Sequence, residues 1–349
     1  MRPGDGGRLL VVAPHATRTG STQVLCDLLA GLGPGLGTPL AVRVLSGGPR
    51  LHELRGHGSD LRPGEVPRAV LVNGSLAAHV LTAFAADVPS AVYVHEAGEV
   101  LDGLPGPARR GLAVADRLWC VSEEVEAALR AQGVEPSRTT VLPPVVSPAS
   151  DPGPEARAAA RRAMGVRDGQ RLVLGCGEAS ARKGTDLFLE VAARLADDDV
   201  HLAWVGRRLR AFARRLDLDG ARTGLDGRVT WVGEVPSPAA HLAAADVLVL
   251  PSRHDPQPLV PVEAALVGTP AAAFAVGGLR DLGGAGAVRC APFPDVPALT
   301  RHVRDLLADG EVASATVDRA RRWWAERQAP EAVLPAVQRE LGILLGGAR

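Results

Sequence analysis

Residues 247–263 read VLVLPSRHDPQPLVPVE and decide the fold class of this chain. The first four residues, Val247–Leu250, form a short apolar run that is typical of a buried strand. A polar, proline-rich loop follows. We expect a helix to begin near Pro258, because proline suits the first helical position. The stretch therefore predicts a strand, a loop and a helix in immediate succession.

The same unit repeats in both directions along the chain. Short apolar runs predict strands at Leu9–Ala13, Leu40–Leu45, Ala69–Val72, Ala91–Val94, Arg117–Val121, Thr139–Leu142, Arg171–Cys176, His201–Val205, Val229–Val232, Val247–Leu250, Ala271–Phe274 and Ala287–Cys290. Helical periodicity predicts helices at Thr22–Leu32, Leu76–Ala85, Glu123–Ala131, Thr185–Leu195, Pro236–Ala244, Pro258–Val267 and Val296–Ala308. Strands that alternate with helices are typical of the α/β class, in which helices cover both faces of a parallel sheet.

The chain of 349 residues is long enough for two such domains. The segment 143–154 is rich in proline and serine, as linkers are. We predict an N-terminal domain over residues 1–147, a linker and first helix over 148–165, and a C-terminal domain over 166–323. Residues 324–349 are predicted as a C-terminal helix that packs back on the N-terminal domain.

Charge and composition exclude several classes of partner. Cationic and anionic side chains number 39 each, so nothing predicts a nucleic-acid partner. The first 150 residues are also near neutral, so we expect no peripheral membrane contact. No apolar run reaches the length of a membrane helix. The four cysteines lack metal-ligand or redox spacing, and together these features predict a cytoplasmic protein that binds no metal.

Lys183 is the only lysine in the chain and Asn73 is the only asparagine. Arginine supplies every other cation, so a lone lysine can mark a position where a compact charge is required, such as a phosphate site. Chance explains the composition equally well. Lys183 and Gly184 stand at the predicted start of a helix that follows a strand, and a helix N-terminus favours anions.

The loop after Val247–Leu250 carries further candidates. Asp255 precedes the predicted helix, Leu259 and Val260 place backbone amides at its N-terminal end, and Glu263 lies within it. In a nucleotide sugar bound at this end, the sugar would lie near Asp255, the phosphates near the backbone amides and the ribose near Glu263. The alternative is structural: Asp255 caps the helix and Glu263 forms a buried ion pair.

Polar residues also follow the strands of the first half. Gly20 lies in a small loop before a helix, where backbone amides can approach an anion. Asn73 follows the third strand, and either a turn or a ligand contact explains it. His95 and Glu96 follow the fourth strand, and this pair is suited to proton handling or polar contacts.

These motifs, in this order, resemble the bacterial family-4 retaining glycosyltransferases, which have the GT-B fold. The most specific elements are Asp255 and Glu263 with seven residues between them, Arg182-Lys183-Gly184, and the run Ala245–Ser252. Weaker matches are Val94-His95-Glu96 and Val121-Ser122-Glu123. The resemblance covers nearly the whole chain and implies two Rossmann-like, doubly wound parallel-sheet domains that face a cleft.

The resemblance also implies roles for single residues. Lys183 and Gly184 would contact the donor phosphates, together with Pro258, Leu259 and Val260. Glu263 would hold the ribose. Asp255 and His95 would be catalytic, with Asp255 on the hydroxyls of the transferred sugar and His95 near the reacting centre. Gly20 would let the phosphates approach.

The chain departs from the family pattern at three positions. Asp255 replaces the usual glutamate, and Pro258 replaces a common glycine. Glu178 stands where the family often has a phosphate-binding arginine, and a carboxylate repels a diphosphate unless it turns away. Arg182 or Arg253 would then supply the missing charge. We expect Asn73, Glu96, Glu178, Arg182 and Arg253 as further donor or acceptor contacts.

The function that follows is a retaining hexosyltransferase, which moves a sugar from a nucleotide sugar to a hydroxyl acceptor, such as a small secondary-metabolite core. The nucleotide sugar is a co-substrate, and no other cofactor is expected. Two alternatives stay open: a nucleotide-sugar-binding homologue without turnover, and a sugar-nucleotide epimerase.

Overall fold

The described residues, 7–196, 198–223 and 227–346 of this computed structural model, form two six-stranded parallel sheets. The chain divides into two units. The first contains the residues up to Ser147 and the C-terminal segment from Arg327, and the second contains Pro148–Glu326.

The sheet of the first unit has the strand order β2-β1-β3-β4-β5-β6. Its strands are β1 Leu9–Ala13, β2 Leu40–Val44, β3 Ala69–Asn73, β4 Ser90–Val94, β5 Arg117–Cys120 and β6 Thr139–Val141. Every residue of β1, β3 and β4 is buried, as expected for a parallel sheet covered on both faces.

The sheet of the second unit has the strand order β12-β11-β10-β7-β8-β9. Its strands are β7 Arg171–Cys176, β8 Val200–Val205, β9 Val229–Gly233, β10 Val247–Leu250, β11 Ala271–Phe274 and β12 Arg289–Ala291. The rings of Phe188 and Trp204 meet edge to face at 5.2 Å in the core of this unit.

Helices connect the strands and cover the sheets. The α-helices are α1 Gly20–Leu32, α2 Leu51–Gly56, α3 Glu99–Asp102, α4 Gly106–Val114, α5 Glu123–Ala131, α6 Gly153–Ala163, α7 Thr185–Arg194, α8 Arg210–Thr223, α9 Ala239–Ala244, α10 Val260–Leu266, α11 Leu279–Gly284, α12 Val296–Ala308, α13 Gly310–Arg327 and α14 Pro330–Gly346. Short 3-10 helices cover Gly33–Leu36, Ser75–Ala83 and Pro136–Arg138.

Helix α14 packs within the first unit. A Cβ on Gly31 of α1 would lie 2.7 Å from Leu334 of α14, so the glycine lets the two helices approach closely. Glu340 of α14 pairs with Arg117 of β5 at 2.9 Å. Helix α14 is therefore held by a close helix contact and an ion pair. No helix among the described residues is both long and apolar enough to cross a membrane.

Each sheet has one switch point, where the connections change direction. In the first unit it lies between β1 and β3, and in the second between β7 and β10. Open parallel sheets bind ligands in the crevice at the carboxyl ends of these strands. The loops that follow β1, β3, β7 and β10 are therefore the places to look for function.

The predicted α/β fold of two Rossmann-like parallel-sheet domains is confirmed, and each predicted strand is found within the described residues. Two details differ. The predicted helix Leu76–Ala85 is the 3-10 helix Ser75–Ala83. Pro258 is not the first helical residue, because α10 begins at Val260 and Pro261 stands in its first turn.

Candidate functional site

The loops that follow β7 and β10 bind each other at the switch point of the second unit. The backbone N–H of Arg253 donates to the carbonyl of Arg182 at 2.8 Å. Gly184, just before α7, has a φ of 64°, and a Cβ there would overlap the carbonyl oxygen of Pro251. Glycine is required at this position because the two loops meet backbone to backbone.

Lys183 and Asp255 form an ion pair across these two loops. Nζ of Lys183 donates to Oδ2 of Asp255 at 2.5 Å, and the hydroxyl of Ser252 donates to the same oxygen at 3.4 Å. Arg182 adds a second cation at 3.7 Å from Oδ1. Asp255 is only 4% exposed, and it does not cap α10, whose N-terminal cap is Leu259. The ion pair is therefore held in place by the burial of Asp255 and by its contacts with Ser252 and Arg182.

Arg253 is committed to a structural contact. Its guanidinium donates two hydrogen bonds of 2.7 Å to the two carboxylate oxygens of Asp186 in α7. Burial is the largest single influence on the pKa of Asp186 and works to raise it, but the hydrogen bonds and charge of Arg253, together with backbone N–H groups, outweigh burial, and the pKa is lowered. Arg253 thus fastens the β10 loop to the start of α7. Of the two arginines proposed to replace the family's phosphate-binding arginine, Arg182 is the one beside Lys183 and Asp255.

Glu178, the departure from the family pattern, is paired. Its Oε2 accepts a hydrogen bond of 2.6 Å from Arg207, which follows β8. The pairing raises the pKa of Arg207, which stays charged. The negative charge of Glu178 is therefore balanced on the β8 side of the loop.

Helix α10 places the remaining predicted donor residues. The N–H of Glu263 donates to the carbonyl of Leu259 at 3.0 Å, which closes the first turn beside Val260. Burial raises the pKa of Cys176, at the end of β7, to about 12; the charge of Glu263 adds to the rise and that of Lys183 opposes it. The charges of Glu263 and Lys183 therefore both influence the pKa of the thiol at the carboxyl end of β7. Pro258 is buried directly before this turn.

The switch point of the first unit brings together Asn73, His95 and the first turn of α1. Nδ2 of Asn73 donates to the carbonyl of Ser21 at 3.1 Å, and Oδ1 of Asn73 lies 2.8 Å from Nε2 of His95. The ring of His95 also lies against that of Tyr93, with centroids 4.6 Å apart. Asn73 is 1% exposed, so it bridges two polar groups inside the unit and does not cap the helix that follows.

Glu96 fixes the loop that carries His95. Its Oε2 accepts hydrogen bonds from the N–H of Ser75 at 3.1 Å, the hydroxyl of Ser75 at 2.9 Å and the N–H of His95 at 3.1 Å. Burial lowers the pKa of His95 to about 4, although the charge of Glu96 opposes the shift. His95 is therefore neutral at neutral pH.

Gly20 is the first residue of α1 and is exposed. The cap before it is Thr19, whose hydroxyl accepts from the N–H of Thr22 at 3.5 Å. The hydroxyl of Thr17 lies 2.8 Å from Nδ1 of His15 in the same loop. The loop thus carries polar side chains at the N-terminal end of α1, and the anion contact expected at Gly20 stays a prediction.

Sequence reasoning missed the partners of these side chains. Arg207, Asp186 and Ser21 each bind a predicted residue, and none was a candidate. Arg207 lies two residues after the end of strand β8, so the rule of inspecting strand ends would have found it. Asp186 and Ser21 lie inside helices, where the sequence gives no signal. Among the described residues, no group of three His, Cys, Asp or Glu side chains is placed to hold a metal ion.

Solved structures match the whole fold. The chain superposes on HepE from Anabaena in complex with UDP and glucose with a TM-score of 0.84, at 18% identity, over 96% of this chain and 99% of that one. The complex of HepE with UDP-glucose gives 0.82, at 18% identity, over 98% and 100%. These likenesses show the GT-B type of fold.

Curated relatives match about half of the chain. It is 37% identical over 183 residues to a D-inositol 3-phosphate glycosyltransferase from Geodermatophilus obscurus, which covers 48% of this chain and 40% of the relative. It is 34% identical over 177 residues to a 2-deoxystreptamine N-acetyl-D-glucosaminyltransferase from Streptomyces fradiae, which covers 47% and 42%.

A third relative is the lipopolysaccharide core mannosyltransferase LpcC from Rhizobium leguminosarum, 33% identical over 190 residues, covering 51% of this chain and 53% of the relative. The matched part thus spans about half or less of the length of each of these relatives. Residues 170–309, which contain Lys183, Asp255 and Glu263, match the family model described as glycosyl transferases group 1.

Proposed function

We propose that this protein is a retaining glycosyltransferase of the hexosyltransferase type, which moves a sugar from a nucleotide-diphosphate sugar to a hydroxyl acceptor. The observation that carries the proposal is the pair of Lys183 and Asp255 at the switch point of the second unit. The match of residues 170–309 to a glycosyltransferase family model supports it independently.

The ion pair of Lys183 and Asp255 is suited to a ligand that is anionic at one end and rich in hydroxyls at the other. The ammonium group is a compact charge with three donors, as a diphosphate requires. The carboxylate can accept hydrogen bonds from sugar hydroxyls. In a nucleotide sugar bound along the ends of β7 and β10, the diphosphate would contact the ammonium group of Lys183, and the sugar hydroxyls would contact the carboxylate of Asp255.

The proposed reaction breaks the bond between the anomeric carbon and the diphosphate oxygen. The electron pair stays on the diphosphate, where Lys183 stabilises the developing charge. The acceptor oxygen forms the new bond on the same face, and its proton passes to the departing diphosphate. The products are a glycoside with the donor's anomeric configuration and a free nucleoside diphosphate. Charge stabilisation and positioning supply the catalysis, and the proposal includes no metal ion.

The ion pair of Glu178 with Arg207 favours an enzyme over a non-catalytic homologue. The objection to donor binding was a carboxylate facing a diphosphate. That carboxylate has its own cation at 2.6 Å, so the repulsion is reduced. Lys183 directly precedes Gly184, the N-terminal cap of α7, and a helix N-terminus favours anions.

For the acceptor, we propose a small polyhydroxylated core. The D-inositol and 2-deoxystreptamine of the relatives' names are both cyclitols, and each relative matches about half of this chain. We place the reaction in the cytoplasm, where nucleotide sugars are present.

The test is a thermal-shift screen with UDP, GDP, ADP and dTDP and their sugar conjugates. A ligand that binds the folded state at about 100 times its dissociation constant adds about 2.7 kcal/mol of stability, so one nucleotide should raise the melting temperature clearly. Its sugar conjugates are then incubated with inositol phosphates and 2-deoxystreptamine, with and without EDTA. NMR of the product should show the donor's anomeric configuration in both cases.

A shift with none of the nucleotides would contradict donor binding. Inversion at the anomeric carbon would contradict the retaining mechanism, and loss of transfer in EDTA would contradict its independence of metal.

A further inference from the structure

The hydrogen bonds of Asn73 have a fixed direction. The carbonyl of Ser21 only accepts, so the group of Asn73 that faces it at 3.1 Å is the amide Nδ2. Oδ1 of Asn73 therefore faces His95, and an amide oxygen also only accepts. Turning the amide over would place Oδ1 against the carbonyl oxygen of Ser21, and two acceptors would then face each other.

The proton on the ring of His95 is placed by the same argument. Nε2 of His95 lies 2.8 Å from an atom that cannot donate, so Nε2 must carry the hydrogen. Burial lowers the pKa of His95 to about 4, so the ring has one ring hydrogen at neutral pH. Nδ1 then carries none, and its lone pair is an acceptor.

Nδ1 is the open side of the ring. Within the part of the chain that the structure describes, no residue makes a hydrogen bond with Nδ1 of His95. The ring is held from two other sides, by Asn73 at Nε2 and by the face of Tyr93. It stands at the carboxyl end of β4, next to the switch-point strand β3.

We infer that Asn73 is a positioning residue that holds His95 in the Nε2–H tautomer, and so keeps Nδ1 as an acceptor for a carbohydrate hydroxyl. This inference rests on the proposed function for the nature of the ligand, and on the geometry alone for the tautomer. Asn73 acts through His95 and does not touch the ligand. Asn73 is buried, and burial alone would be satisfied by an apolar side chain of similar volume. The hydrogen bond to His95 therefore gives the only asparagine of the chain a role that burial does not explain.

The tautomer is measured in the free protein, by long-range proton–nitrogen NMR correlation of the ¹⁵N-labelled chain near pH 8. We expect His95 to show a protonated, pyrrole-type Nε2 and a bare, pyridine-type Nδ1. His79 is an internal control, because its Nδ1 faces the carbonyl of Leu76 at 3.0 Å and must donate. A His95 with the hydrogen on Nδ1, or with both nitrogens protonated, would overturn the inference.

Two variants test the part played by Asn73. Asn73→Leu fills nearly the same volume without an acceptor, and His95 should then show a mixture of tautomers. Asn73→Asp restores an oxygen and should restore the Nε2–H form. An unchanged tautomer in folded Asn73→Leu would show that Asn73 does not set it.

The ligand is tested with UDP-glucose for the transferred sugar and with 2-deoxystreptamine for the acceptor, and UDP alone is the control. The Nδ1 resonance should move on addition of the probe whose hydroxyl it accepts, and should move little with UDP. If UDP-glucose and 2-deoxystreptamine both bind and neither shifts the Nδ1 resonance of His95, Nδ1 does not accept a carbohydrate hydroxyl. Absence of binding by every probe would count against the proposed function, while the tautomer measurement still decides the assignment of Asn73.

Discussion

Nζ of Lys183 lies 2.5 Å from Oδ2 of Asp255, although 72 residues separate them in the chain. Asp255 is 4% exposed, and the side chain of Lys183 is 15% exposed. The only lysine of the chain is thus already bound to a carboxylate at the switch point of the second sheet. A diphosphate that binds Lys183 must share the ammonium group with Asp255 or displace it.

The first prediction concerns Asp255→Asn. We expect turnover to fall by about tenfold or more, because the sugar loses a charged acceptor. The affinity for the free nucleoside diphosphate should stay unchanged or rise by up to about 1.5 kcal/mol, because Lys183 is released from its partner. Calorimetric titration and initial rates measure the two effects separately.

Asp198→Asn is the matched control, since Asp198 forms an exposed pair with Arg304 and should leave both quantities unchanged. If Asp255→Asn instead binds the nucleotide much more weakly, Asp255 contacts the nucleotide and not the sugar.

The second prediction concerns the pair of Glu178 and Arg207. Arg207→Ala leaves the carboxylate of Glu178 without its cation, and nucleotide affinity should fall by about 1 kcal/mol through repulsion. The double variant Arg207→Ala/Glu178→Gln should recover the loss, and Glu178→Gln alone should change affinity by less than about 0.5 kcal/mol. Equal losses in Arg207→Ala and the double variant would mean that Arg207 itself binds the nucleotide.

The third prediction is a pH effect at His95. Its pKa of about 4 lies below the value of about 6.5 for an unperturbed histidine. Between these two values the unfolded chain binds a proton that the folded chain does not, so this residue makes the free energy of unfolding fall as the pH drops from 6.5 to 4. Proton NMR should give a titration midpoint for His95 near 4.

The variant Glu96→Gln should lower that midpoint further, because it removes the charge that favours the imidazolium. A His95 that titrates near 6.5 in the wild-type protein would show that its ring is not desolvated.

The fourth prediction concerns Gly184. Gly184→Ala places a side chain at a φ of 64° and against the carbonyl of Pro251, so we expect a loss of about 2 kcal/mol of stability or more. The control is Gly310→Ala, because a Cβ on Gly310 meets no atom within 4 Å. Chemical denaturation compares the two variants. Equal stability would mean that the two loops can separate without cost.

The sequence predicted the sheets because their signal is local. Short apolar runs such as Val247–Leu250 indicate buried parallel strands, and the polar residues that follow them lie at the carboxyl ends of the strands. Helix α8 was not predicted; its sequence, RAFARRLDLDGART, is dominated by charged residues, and few large apolar side chains mark its buried face. Leu216 is its deeply buried side chain, at 1% exposed.

The candidate side chains were predictable and their partners were not. Asp186 lies 67 residues from Arg253, and Arg207 lies 29 residues from Glu178. Such pairs depend on how strands are ordered in the sheet, which local patterns do not encode. The sequence therefore indicated that Glu178 departs from the family pattern, and the fold shows which residue neutralises it.

The most direct test of the central claim is the affinity of Lys183→Ala for the nucleoside diphosphate that the wild-type protein binds best, measured by isothermal titration calorimetry. Arg304→Ala, which removes a cation from an exposed pair, is the control. We predict that Lys183→Ala loses about 1.5–3 kcal/mol, roughly 10- to 150-fold in affinity, while the control binds as the wild type does. Equal affinity in Lys183→Ala and the wild-type protein would contradict a phosphate site at Lys183.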